Sequence, residues 1–180
     1  RAAEIAKAAG LDFGDQKPEG TKVTTDNRKK LLDQLADLDR EYARKKLATD
    51  EEEIQALKDK FDKVRRLVND YNNDPKTKLV DRISLDGLNQ LEENAILDTK
   101  YKQENKKIAE ELNTQKALYT EYEEYKKQFG KEKAAEMYAD LISQFNSYQA
   151  YLESKKEQNA TAITAVQNNT ATGGQLDRVK

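Results

Sequence analysis

Six apolar residues, Ile54, Leu57, Phe61, Val64, Val68 and Tyr71, follow one another at a mean step of about 3.5 residues. That interval suits one narrow stripe on an α-helix and no strand, so the stretch predicts a helix that packs along a thin seam. A second run, Leu31, Leu35, Leu38 and Tyr42, has steps of four, three and four but a different phase. Between the two lies Thr49-Asp50-Glu51-Glu52, with Thr49 and Glu52 at capping-box spacing. A stutter or a break at residues 47–50 reconciles the phases, and the reading taken is one helix over residues 26–73 with a local irregularity.

Punctuation sets the other boundaries. Pro18 and Gly20 place a flexible linker in residues 1–25, where an alanine-rich run ended by Gly10 can make a short helix. Thr25 or Asp26 then caps the first long helix, and Asp74-Pro75 ends it. Residues 79–85 form an apolar-rich connector, after which Ser84 or Asp86 caps the next helix. That helix has a leaky seam, with polar breaks at Asp98, Asn105 and Gln115. Gly130 suits a left-handed helix terminus, leaving open a hairpin or a kink. A clean stripe resumes at Ala134, Tyr138, Leu141, Phe145, Tyr148 and Leu152, and residues 169–180 should fray. The helical block is thus 26–168.

Leu, Ile, Val and Phe make up about a fifth of the chain while 37% is charged, too little apolar matter for a thick core. A helix over residues 26–73 would be about 70 Å long at about 1.5 Å per residue, against a diameter of about 40 Å for a compact ball of this length. The expected fold is all-α, an elongated antiparallel helical bundle or coiled coil of two to three long helices. Acid-first pairs four apart, Glu41 with Lys45, Asp59 with Lys63, Asp62 with Arg66 and Glu123 with Lys127, support exposed helix.

The chain has no Cys and no His, which removes thiolate and imidazole chemistry, and 32 basic residues against 34 acidic leave a charge of −2. Asp70, Asn72, Asp74 and Asp81 copy part of a calcium loop, but its glycine position holds Pro75. Adjacent acids such as Glu92-Glu93 and Glu110-Glu111 diverge on a helix and share no cleft. Basic clusters at Arg28-Lys29-Lys30, Arg44-Lys45-Lys46 and Arg65-Arg66 are interleaved with acids, which disfavours nucleic acid. No catalytic residue, metal ligand or cofactor site is expected, and no membrane contact.

One series stands out: Tyr119, Tyr122, Tyr125, Phe129, Tyr138, Phe145, Tyr148 and Tyr151. These rings either line a seam with their hydroxyls at its wet edge or form a docking stripe for another helix or a second copy of the chain.

Residues 122–138, Tyr-Glu-Glu-Tyr-Lys-Lys-Gln-Phe-Gly-Lys-Glu-Lys-Ala-Ala-Glu-Met-Tyr, with the Ala, Thr, Asn and Gln tail after them, resemble in texture the helical mid-region of bacteriophage or prophage tail tape-measure proteins. The resemblance spans about residues 26–168. It implies an internal piece of a longer chain, in keeping with Arg1 in first place. It also implies a structural ruler role in tail assembly, tail-tube or assembly proteins as partners, self-association through heptad seams, and a place in the phage tail after synthesis in the bacterial cytoplasm. No site residue transfers with it. The alternative is an interaction module of an adhesin stalk or a chromosome-associated scaffold, and a peptidoglycan-lytic fragment is least favoured.

Overall fold

The computed structural model describes the backbone of residues 22–176 and the side chains of residues 26–168. The expected linker at residues 1–25 therefore lies almost wholly outside the described residues. What is described is all-α: α1 (Lys22–Arg44), α2 (Asp50–Asn73), a 3₁₀ turn (Leu79–Asp81), α3 (Asp86–Phe129), α4 (Lys131–Met137) and α5 (Ala139–Leu176). The backbone of α5 is helical to Leu176, well into the segment expected to fray. Helix α1 starts at Lys22, so Thr25 and Asp26 fall within it rather than capping it. Packing divides the chain into two units. Among the described residues the first comprises 22–99 with 165–176, the second 100–164.

In the first unit the single helix expected over residues 26–73 is instead a pair. The correction has a physical cause. One straight helix would point its two out-of-phase stripes in different directions, whereas folding back at residues 45–49 lays one stripe on the other. Thr49, at φ −126° and ψ 158°, accepts the Glu52 amide on its side chain at 3.1 Å. The Glu52 carboxylate reaches back to the Ala48 amide at 2.7 Å, one residue before the cap, so both sides of the break are satisfied. Four acids in the first turn of α2 add a favourable interaction with its dipole.

The short turn at residues 45–49 sends α2 back along α1, and Asp39 pairs with Lys60 at 2.5 Å and Glu41 with Lys63 at 2.8 Å between them. Leu31, Leu35 and Leu38 meet Val64, Val68 and Tyr71, and Leu88 from α3 closes the core. Leu31, Val68 and Leu88 are almost wholly enclosed. Each such side chain contributes about 1.5–3 kcal/mol through burial before entropy is counted.

The connector between α2 and α3 is held by side chains. Tyr71 Oη donates to the Asp81 carbonyl at 3.1 Å. Asn72 donates from Nδ2 to the Ile83 carbonyl at 2.7 Å and accepts the Ile83 amide on Oδ1 at 2.8 Å. At the start of α3 it is Ser84 that helps, accepting the Asp86 amide at 3.3 Å. Arg65 then bridges from α2 to α3, donating to Asp62 and Asn89 at 2.9 Å each and to Glu92.

In the second unit α3 and α5 also run antiparallel, as Glu104 with Lys155 at 3.1 Å and Tyr119 with Phe145 show. The junction at Gly130 is thus a fold-back. Gly130 has φ +92° and ψ 161°, outside the left-handed helical geometry expected and in a region nearly closed to other residues. A Cβ there would touch nothing within 4 Å, so the requirement for glycine is conformational. The stripe that resumes after it is divided at Tyr138, φ −113°, between α4 and α5. Hydrogen bonds from the Tyr138 amide to Ala134 and from the Ile142 amide to Tyr138 carry the ladder across that bend.

Aliphatic packing in this unit is slight: Ile108, Leu112 and Leu152 form its buried cluster. Polar groups share the seam. Asn105 donates to the Lys156 carbonyl at 3.3 Å, while Asn105 Oδ1, Gln149 Nε2 and Asn159 Nδ2 are buried without a hydrogen-bond partner. The leaky seam read from Asn105 has this physical form.

Candidate interaction surface

The two antiparallel arms bring six of the eight aromatic residues into one connected ladder. Its order is Phe129, Tyr125, Tyr138, Tyr122, Tyr119, Phe145, with neighbouring ring centroids 4.4–5.8 Å apart. Tyr119 and Phe145 stack at 23°, and Tyr138 meets both Tyr122 and Tyr125 edge-on. Edge-on and offset contacts add about 0.5–1.5 kcal/mol each beyond the area they bury. Tyr148 and Tyr151 form a separate, near-parallel pair with centroids 6.4 Å apart.

Sequence spacing suggested either a seam or a docking stripe, and the rings divide. Tyr122 is buried, Tyr125, Tyr138 and Phe145 are half-buried, and Tyr119, Phe129, Tyr148 and Tyr151 are exposed. Met137, beside the turn, is 64% exposed and Phe129 52%. The ladder therefore holds the arms together around Tyr122 while Tyr119 and Phe129 stay open to solvent.

Charges border the rings. Lys126 stands 5.6 Å from the Tyr122 ring centroid and bonds Glu123 at 3.3 Å. That hydrogen bond, then the charges of Glu123 and Tyr122, holds its ammonium above the usual lysine range. Tyr148 is raised by burial first and then by the charge and hydrogen bond of Glu111. Lys155 is raised by its hydrogen bond to Glu104.

The other sequence candidates resolve into ordinary packing. Asn72 is spent on Ile83, Asp74 Oδ1 accepts the Lys76 amide at 2.9 Å, and the Asp81 carbonyl takes the Tyr71 hydroxyl. Among the described residues no group of three carboxylates is placed to hold a metal ion. Arg65 is engaged by two acids and Asn89, and Arg44 and Lys45 share an open groove with Asp37, Arg40 and Glu41. Acidic and basic side chains therefore stand together at both places.

The predicted four-apart pairs are mostly replaced. Glu41 reaches Lys63 across the hairpin, Asp62 binds Arg65, Asp59 accepts from Gln55, and Glu123 binds Lys126. Two features escaped the sequence reading. The Asn72 clamp had no signal, because its use depends on where Ile83 lands. Leu79 and Val80, in the apolar-rich connector, are 80% and 89% exposed on the 3₁₀ turn, which their apolar character does not signal.

No protein-family model, curated protein or solved structure matches the chain. Among the described residues no helix is long and apolar enough to cross a membrane.

Proposed function

We propose that the chain is a structural, non-catalytic segment of a phage tail tape-measure type of protein. Its helices lie antiparallel as a bundle or coiled coil, and its half-covered rings dock other protein chains, tail-tube or assembly proteins, during tail assembly. The observation that supports this most is the ladder running from Phe129 to Phe145, which encloses Tyr122 yet leaves Tyr119 and Phe129 exposed. Tyrosine and phenylalanine so placed supply large, rigid contact area at little entropic loss, as binding surfaces require. The place of action is the phage tail, after synthesis in the bacterial cytoplasm.

A ruler made of hairpins converts length differently from an extended helix. Two arms advance together, so each seven residues of rise, about 10 Å, uses seven residues from each arm. Removing two heptads of α3 together with the two facing heptads of α5 from the parent gene should shorten the tail by about 20 Å. Electron micrographs showing tails of unaltered length would remove the ruler role.

The fold-backs at residues 45–49 and at Gly130 favour a second reading, because a chain that doubles back trades reach for lateral surface. In it the same surface serves an adhesin stalk or a chromosome-associated scaffold. Gene neighbourhood separates the two: a ruler lies among tail-tube and baseplate genes.

A further inference from the structure

Residues 141–152 of α5 contain no Asp, Glu, Lys or Arg, in a chain of which 37% is charged. About four charged residues would be expected there from the average composition. Asp140 stands before this window, and Glu153 and Lys155 after it. At about 3.6 residues per turn, Asp140, Gln144, Ser147, Tyr148, Tyr151 and Lys155 fall on one side of the helix.

The middle of that side is open to solvent, while Lys155 at its end is half-buried beside Glu104 of α3. Gln144 and Ser147 are exposed, Tyr148 is 37% exposed and Tyr151 56%. Ser147 Oγ already donates to the Gln144 carbonyl at 3.0 Å, and neighbouring Ser143 Oγ to the Asp140 carbonyl at 3.0 Å. Both hydroxyl donors are satisfied within the helix, so covering them strands no polar hydrogen. The near-parallel Tyr148 and Tyr151 rings supply the apolar area.

We propose that this side of α5 docks a second copy of itself, the two helices antiparallel about a two-fold axis beside Ser147 and Tyr148. The occupant is identified by charge. An antiparallel alignment on that axis sets Asp140 opposite Lys155 of the second copy, Gln144 opposite Tyr151 and Ser147 opposite Tyr148, and then repeats each contact by symmetry. A parallel alignment would set Asp140 beside Asp140 and Lys155 beside Lys155. Over the window itself α5 brings no like charges together, and Glu111 of α3, bonded to Tyr148, is an acid beside it. Lys155 keeps its bond to Glu104 at 3.1 Å and has further N–H donors for a second carboxylate. A contact of about four turns buries roughly 1,000 Å² in total, at the low end for specific association, so the dimer is weak and depends on concentration.

The inference names a partner for the docking role proposed above and rests on that reading, but it is tested on the purified chain alone. Sedimentation equilibrium should show the mass rising from one copy to two with concentration. Tyr151→Glu should hold it at one copy throughout, with an unchanged helical circular-dichroism spectrum. The chain has no cysteine, so Ser147→Cys adds its only thiol, and a short bis-maleimide should link it into dimers. Asn113→Cys, exposed on α3, should stay unlinked. A single-copy mass at every concentration, a dimer that survives Tyr151→Glu, or equal linking of the two cysteine variants would each overturn the proposal. If the chain is monomeric while the paired heptad deletions still shorten tails, the self-docking fails and the docking reading stands.

Discussion

The first unit is held by aliphatic side chains that three helices aim at one centre, whereas residues 100–164 are held by stacked rings and three aliphatics along a partly polar seam. The difference teaches what each is suited to. The core around Leu31, Val68 and Leu88 hides nearly all of its apolar matter, and in that unit Leu79 and Val80 on the connector are the most exposed apolar side chains. A seam of half-covered rings keeps its arms together and retains contact area for something else.

The largest effect expected from this contrast is in the first unit. Leu31→Ala should lose about 2–5 kcal/mol by urea unfolding, whereas Leu152→Ala in the thinner cluster should lose clearly less. Equal losses would mean that the two units are packed alike. Gly130→Ala should lose about 1–3 kcal/mol, because alanine is strained at φ +92° although space for its methyl is open. Hydrogen exchange should place that loss in residues 100–164, and a loss spread evenly over both units would argue against it.

Replacement in the opposite direction sharpens the comparison. Asn159 is 6% exposed with its Nδ2 unpaired, so Asn159→Leu should raise the stability of the second unit by about 1–2 kcal/mol. A destabilised variant would show that the amide is better satisfied than the geometry indicates.

The smallest effect concerns pH. Lys63 lowers the Glu41 pKa through a hydrogen bond and its charge. A lowered carboxylate stabilises the fold above its unfolded pKa, and that contribution disappears as pH falls through the folded value. Stability should therefore drop less on acidification in Glu41→Gln than in the parent, and added salt should narrow the gap. The pair is exposed, so a large gap would be unexpected.

Much of the helical content was legible in spacing. Of the stripe Ile54, Leu57, Phe61, Val64, Val68 and Tyr71, all are buried but Ile54, which is half-buried. The reversal at residues 45–49 was not legible as a reversal, since Lys-Lys-Leu-Ala-Thr contains neither Gly nor Pro. The phase jump there said that one straight seam was impossible, but a stutter satisfies that condition as well as a turn does. Capping by Thr49 and Glu52 selects the turn, together with the gain from laying Leu35 and Leu38 against the α2 stripe. For the rings, periodicity identified the series but not which faces stay bare. That depends on how many helices surround each ring, a count that no local pattern contains.

The Asn72 clamp has a consequence for motion. Both ends of one amide group grip the backbone of Ile83, so a single side chain rivets a corner that has little regular ladder of its own. Deuterium should enter the Ile83 amide slowly despite its irregular surroundings, and Asn72→Ala should quicken that uptake selectively. The corner then behaves as a stiff elbow, and the apolar tip it carries at Leu79 and Val80 is displayed in a fixed attitude.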